Sequence, residues 1–165
     1  MSSPTLHSTT LQSPVGSLTV VASDAGLRAI LWPVEKPGRV SFEENVVVGS
    51  HEVLDATIEQ LTAYFDGERT DFDLPLDMVG TDFQHAVWRG LLEIPWGQTH
   101  SYGELATALG KPSASRAVGS ATGRNPISVV VPCHRLVASS GKLTGFAGGL
   151  DAKRWLLDHE SSKLF

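Results

Sequence analysis

Residues 101–126 read SYGELATALGKPSASRAVGSATGRNP. The opening Ser101-Tyr-Gly-Glu104 has capping-box spacing, in which the Ser101 hydroxyl and the Glu104 carboxylate each satisfy a backbone donor at a helix start. That helix runs to Leu109 and ends at Gly110. After Lys111-Pro112 a second helix begins near Ser113, and it must stop by Asn125 because Pro126 disfavours helical geometry in the residue before it. Two short helices joined by a tight glycine-containing turn form a helix-turn-helix signature, a pattern that plain helical hairpins share. The second helix is more specific. Apart from Arg116 it consists of small residues, so its backbone can approach a groove or a sugar-phosphate wall while one long cation projects. Packing in a core would favour Leu and Ile there.

Just downstream, residues 131–136 read Val-Pro-Cys-His-Arg-Leu, and Cys133 is the single cysteine in 165 residues. It cannot form an intramolecular disulfide. A lone cysteine after an apolar run such as 127–131 is ordinarily a small packed hydrophobe. Here an imidazole at 134 and a guanidinium at 135 accompany it, and cationic neighbours lower a thiol's pKa and raise the fraction of nucleophilic thiolate. Chemistry at Cys133 is the leading reading.

Charge supports a polyanionic partner. The chain carries a formal charge of −5, but residues 1–80 hold four Lys/Arg and twelve Asp/Glu, whereas 81–165 hold nine and six. Residues 105–150 contain Lys111, Arg116, Arg124, Arg135 and Lys142 and no carboxylate, which suits a face that meets phosphates. A hydrophobic content of 41% supports a real core, and no stretch approaches the length of an apolar membrane span. The first residues, Met1-Ser-Ser-Pro-Thr, lack signal-peptide character. With one unpaired cysteine, a soluble protein of the reducing cytoplasm is expected.

Upstream, the chain reads as scaffold. Extended runs at 5–12, 18–22 and 27–32 are separated by the turn compositions Ser13-Pro-Val-Gly16 and Ser23-Asp-Ala-Gly26, giving a small antiparallel meander. Residues 33–49 read as an irregular connection. An amphipathic helix follows, with Leu54, Ile58, Leu61 and Phe65 as its apolar stripe and Gly67 beyond its end. Residues 66–77 form an acidic bridge. Thr81 can cap a helix carrying Phe83, Val87 and Leu91 that stops at Pro95. Past the cysteine come a turn at 138–142, a glycine-bordered loop at 145–149 and a closing helix over 150–160 with Trp155, Leu156 and His159 toward the core. The division falls near residue 80, giving units 1–80 and 81–165.

Taken in order, Ser101-Tyr-Gly-Glu-Leu-Ala, Arg116-Ala-Val-Gly, Gly123-Arg-Asn-Pro126, Val131-Pro-Cys-His-Arg135, Ser140-Gly, Gly148-Gly and Leu156-Leu-Asp-His-Glu160 resemble the O6-alkylguanine-DNA alkyltransferase family. The resemblance implies an α+β protein. Its N-terminal unit would be a ribonuclease-H-like antiparallel sheet with a helix, and its C-terminal unit helical, with a helix-turn-helix and the active-site cysteine. It implies direct DNA repair, in which an alkyl group moves from O6 of a flipped-out guanine to Cys133 in an irreversible, single-turnover step, with O4 of alkylthymine open as a second donor.

The same resemblance assigns roles. His134 and Glu160 complete a Cys, water, His, Glu relay, the water being needed because neighbours in an extended segment point to opposite faces. Tyr102 donates toward N3 of the base, and Asn125 braces the recognition helix against the strand leading into Cys133. Val131, Pro132, Leu136, Phe146, Ala147 and Gly148 bind the substrate, the carbonyls of Cys133 and Leu136 accepting from the guanine amino group and the Ala147 N–H facing O6. Phe146 replaces a tyrosine common in the family, so a hydroxyl is lost. On the DNA side stand Gln84, Gly103, Ala114, Ser115, Arg116, Ala117, Gly119, Arg135 and Ser139, with Arg116 entering the space vacated by the base and the helix in the minor groove. Double-stranded DNA is the expected partner of a monomer. No cofactor and no metal are expected, since the cysteines that hold zinc in eukaryotic relatives are missing. Two rivals fit less well: a cysteine hydrolase is disfavoured by the directly adjacent Cys-His pair, and a damage-flagging module without chemistry would lack the acceptor cysteine.

Overall fold

The computed structural model describes residues 5–161; the N-terminal residues 1–4, read above for signal character, lie outside them. Strands β1 (Thr5–Ser13), β2 (Gly16–Ser23) and β3 (Gly26–Leu31) form the meander the turn compositions predict. Ser13 and Gly16 pair directly across the first turn, and Gly16 takes φ +109°, a conformation glycine adopts without steric cost. A fourth strand, β4 (Asn45–Val48), lies in the stretch expected to be irregular and pairs parallel with β1. The sheet is therefore mixed, in the order β3-β2-β1-β4. The sequence hides β4 because it is a short edge strand exposed at all four positions, and so shows no alternation.

Helix α1 (Glu52–Phe65) packs on one face of the sheet. Alternation divides the strands accordingly: Leu18, Val20 and Ala22 of β2 join the main core with Leu54, Leu61 and Tyr64, while Val21 turns to the other face with Leu6 and Ala29 under Val40 and Phe42. The core is continuous across the chain, because Trp88, Leu91, Val118, Val131 and Leu156 belong to the same cluster.

Helices α2 (Asp82–Leu92), α3 (Tyr102–Ala108) and α4 (Ser115–Gly123) pack against one another, and α5 (Leu150–Ser161) closes the structure. The expected Ser101–Glu104 capping box is present, and the expected Thr81 cap is itself a capping box, closed by Gln84. Helix α4 begins at Ser115 rather than near Ser113, after a turn in which the Ala114 N–H bonds the Lys111 carbonyl at 2.9 Å. A short parallel pair, β5 (His100–Ser101) with β6 (Leu136–Val137), ties the start of α3 to the residues just after Cys133.

The free edge of β3 positions the site. The Ile30 N–H donates to the Pro126 carbonyl at 2.9 Å, making a parallel bridge with Ile127, and Leu27 pairs in the same way with Leu76. The N-terminal sheet thus holds the chain that leads to Cys133. That chain is a run of tight turns rather than the expected strand: the Val131 N–H bonds the Ile127 carbonyl at 2.9 Å, and Val129 has φ +73°. A β-branched residue in the left-handed region is an outlier that costs about 1–3 kcal/mol, so its surroundings must hold it there.

Candidate active site

Cys133 starts a single 3-10 turn that also contains His134 and Arg135. The turn replaces the extended geometry expected there and sends three successive side chains in different directions. Cys133 is 5% exposed and contributes to the wall of a cavity of about 340 Å³, together with Tyr102, Gly119, Thr122, Thr144, Phe146 and Ala147. That volume lies within the ordinary range of small-molecule sites, about 300–1,000 Å³.

His134 points the opposite way, into the core, with its Nε2 2.7 Å from Glu160 Oε2. Glu160 also accepts from Arg135 Nε at 2.8 Å, from Arg135 Nη2 at 3.0 Å and from the Tyr64 hydroxyl at 2.6 Å. Burial by itself would raise the Glu160 pKa, but the hydrogen bonds from His134 and Arg135 and the Arg135 charge hold this carboxyl well below the usual range. Burial pushes the His134 pKa down, outweighing the bond to Glu160. The imidazole is therefore neutral, with Nε2–H donating to the carboxylate and Nδ1 left as a buried acceptor with no hydrogen-bond partner among the described residues. A buried acceptor of this kind is where a bridging water is expected.

The electrostatics at the sulfur differ from the sequence expectation. Burial raises the Cys133 pKa; the side chains of Asn125 and Ser128 and the charges of Arg39 and Lys153 oppose it. Neither cation is a sequence neighbour. Arg135 faces Glu160 and the Ile94 carbonyl, 2.7 Å from its Nη1, and is 6% exposed. The structure places this expected DNA-facing residue inside: three hydrogen bonds tie its guanidinium to the interior, where an unpaired cation would be costly. Lys153, 1% exposed on the core side of α5, donates to the Leu136 carbonyl at 2.6 Å and to the Thr144 carbonyl at 3.0 Å.

The cavity wall includes some expected substrate contacts and omits others. Phe146 and Ala147 line it, and Phe146 stacks edge-on against Trp32 with centroids 5.4 Å apart. Gly148 does not line it; any Cβ there would lie 2.7 Å from the Trp32 ring, so its lack of a side chain serves packing of the loop on the N-terminal half. Val131 is fully buried behind the cavity and gives its carbonyl to Asn125 Nδ2 at 2.9 Å. Leu136 is buried and its carbonyl engaged by Lys153, so the expected contact to the base would share that acceptor. Pro132 and Arg135 line a separate cavity of about 300 Å³, and Pro132 is not among the residues around the Cys133 cavity.

Asn125 is 1% exposed and braces the turns before the cysteine, accepting from the Ile127 N–H at 3.0 Å while donating to Val131. The Tyr102 hydroxyl lies 3.1 Å from Thr144 Oγ1. Its ring rests on α4, where the Cβ position of Gly119 would be 3.7 Å away. On α4, Ser115, Arg116 and Ala117 are exposed, as are Gly103 and Ser139, while Ala114 is half-buried. Gln84 uses its carboxamide to accept from the Thr81 N–H at 2.9 Å and borders another cleft, beside Arg124. Among the described residues no three His, Cys, Asp or Glu side chains gather as metal ligands would.

Sequence reading missed the contributions of the N-terminal half. Arg39, 7% exposed, donates to the Asn125 carbonyl at 2.6 Å and the Ile30 carbonyl at 2.8 Å, with Glu35 beside it; Lys36 lines the cavity; Tyr64 reaches Glu160. Only Lys153 carried a local signal, a cation on the buried stripe of a helix with Ala152, Leu156 and Glu160.

These features define a class: an α+β protein in which a buried cysteine, followed in sequence by the histidine of an internal His-Glu pair, lines a cavity beside a helix-turn-helix. Two family profiles match the chain, one described as 6-O-methylguanine DNA methyltransferase, ribonuclease-like domain, over residues 6–78, the other as its DNA binding domain over residues 82–162. A methylated-DNA--protein-cysteine methyltransferase of Mycobacterium bovis is 46% identical over 96% of this chain and 94% of its own length. The crystal structure of the Mycobacterium tuberculosis O6-methylguanine methyltransferase superposes with TM-score 0.84 at 45% identity, covering 97% of this chain and 95% of that one. The same organism's OGT in complex with DNA gives 0.84 at 44% identity, covering 96% and 93%. The chain belongs to the methylated-DNA--protein-cysteine methyltransferase family.

Proposed function

We infer that this protein repairs DNA directly, moving the alkyl group of an O6-alkylguanine onto Cys133. The observation that carries this reading is Cys133 in the wall of a base-sized cavity, followed directly by a neutral His134 bonded to the Glu160 carboxylate. The His134 Nδ1 acceptor takes the thiol proton through a water, while Glu160 fixes the tautomer and stabilises the imidazolium that forms. The thiolate attacks the alkyl carbon; the S–C bond forms as the C–O6 bond breaks, and the electron pair stays with the guanine. Tyr102, at the cavity wall, donates toward N3 so that the base does not leave as an anion. The thioether has no route back to thiol, so each protein molecule acts once.

A guanine inside a duplex hides its O6, so the target nucleotide is turned out of the stack. Support comes from the exposed, small-residue surface of α4 beside the cavity, with Arg116 at its start. That helix enters the minor groove and Arg116 fills the vacated space. The protein acts as a monomer through two units, residues 1–80 as scaffold and 81–165 as the DNA-binding and acceptor unit, in the cytoplasm, where the thiol stays reduced. No helix among the described residues is long and apolar enough to cross a membrane.

Intact-mass analysis after incubation with duplex DNA containing O6-methylguanine tests the reading. One methyl per chain, mapping to Cys133 and missing in Cys133→Ala, is the expected result. Multiple turnovers, or an unmodified wild-type chain, overturn it.

A further inference from the structure

Lys36 sits in the loop between β3 and β4, far in sequence from the cysteine, yet it lines the same cavity as Cys133. Its Nζ donates to the Phe146 carbonyl at 2.7 Å, which leaves two ammonium protons for other acceptors. Lys36 is the one formally charged side chain among the described residues that line this cavity, and no carboxylate faces it. The nearby acids are already neutralised: Glu160 by Arg135, and Glu35 by Arg39. Arg39 and Lys153 add positive potential at the sulfur. The pocket is thus cationic on every side that carries charge, which is more than the transfer of a neutral methyl group requires.

We propose that Lys36 sets a charge preference in this pocket, favouring O6 substituents that end in a carboxylate. The proposal rests on the alkyl-transfer reading and deepens it. For a carboxymethyl group the bond changes are the same: sulfur bonds the methylene carbon, the C–O6 bond breaks with its electron pair on guanine, a ring nitrogen of the base is protonated, and the carboxylate passes unchanged onto the thioether. Lys36 holds that carboxylate and places the methylene toward the sulfur. It is a specificity residue rather than a proton-transfer group.

The test compares two duplexes with the full-length chain, one carrying O6-carboxymethylguanine and one its neutral isostere O6-carbamoylmethylguanine, reading the second-order rate of Cys133 modification by intact mass. The ratio of the two rates is independent of the fraction of active protein. Lys36→Met should lower the ratio about threefold to tenfold, in keeping with loss of a partly exposed ion pair; Lys36→Arg should retain it and Lys36→Glu should lower it further. An unchanged ratio in Lys36→Met, even with both rates reduced, overturns the proposal and leaves Lys36 as a tie to the loop. A wild-type chain that takes a methyl from O6-methylguanine but neither larger group overturns it as well, with the alkyl-transfer reading intact. A chain that takes no methyl overturns both.

Discussion

At the scale of single residues, adjacency in sequence and adjacency in space give opposite answers around Cys133. His134 and Arg135 follow it directly, and both turn away into the core, where they surround Glu160. The 3-10 turn does this, because three residues per turn send successive side chains in three directions. Glu160 is consequently the keystone of a buried network, and Glu160→Gln leaves the Arg135 charge uncompensated. Breaking one side of such a pair costs about 3–5 kcal/mol, readable as a lower urea midpoint. The pH dependence has a definite sign. Both His134 and Glu160 have folded-state pKa values lowered from their ordinary ones, so the unfolded chain binds more protons and stability falls with acidification. The loss begins below about pH 6.5 as the unfolded imidazole charges, and steepens below about pH 4.5 as the unfolded carboxyl protonates. In Glu160→Gln the second phase should be shallower, the part that remains coming from other carboxylates with lowered pKa values such as Glu35; an unchanged profile would contradict the role given to this carboxylate.

At the scale of elements, α4 and the 145–149 loop have different reasons for their small residues. On α4, Ser115, Arg116 and Ala117 are exposed, so their character is free to serve a partner, whereas Gly119 faces the Tyr102 ring, where a Cβ would sit in ordinary contact at 3.7 Å. Arg116→Ala should therefore slow repair in duplex DNA far more than transfer from a free O6-benzylated guanine, about tenfold or more in their ratio. Equal losses would contradict a place in the base stack. In the loop, Gly148 lies against Trp32, whose indole N–H donates to Ser128 Oγ at 3.1 Å. Gly148→Ala puts a methyl 2.7 Å from that ring. Overpacking of this kind costs about 1–3 kcal/mol and should displace the loop, so transfer from the free base should slow as well. A Gly148→Ala chain with wild-type stability and wild-type transfer would show that the loop can shift without consequence.

At the scale of the whole molecule, the two halves meet through β3 and the loop after it. The Ile30–Ile127 bridge, Arg39 on the Asn125 carbonyl, Trp32 on Ser128 and Lys36 on Phe146 all join the N-terminal sheet to the turns that carry the cysteine. Arg39→Ala strands two buried carbonyls, at about 1–3 kcal/mol each, and should lower both the denaturation midpoint and the rate of alkyl uptake. Loss of stability with an unchanged uptake rate would limit Arg39 to scaffolding. Much of this architecture was legible beforehand. The meander, the amphipathic α1, the Ser101–Glu104 capping box, the Thr81 cap and the closing helix followed from turn residues, period and caps, all of which act within a few residues along the chain. Edge strand β4 was not legible, since a strand exposed throughout carries no pattern. The acceptor cysteine, the adjacent histidine and the distant glutamate could be named from motifs. The sequence by itself thus determined the helices, the turns and the identity of the reactive thiol, because those depend on local conformational preference and on residue chemistry. The tertiary structure alone decided which charges face the sulfur: Arg135 is withdrawn to Glu160, while Arg39 and Lys153 approach from elsewhere. Electrostatic potential depends on distance and burial in space, and a sequence does not encode either until the core has closed.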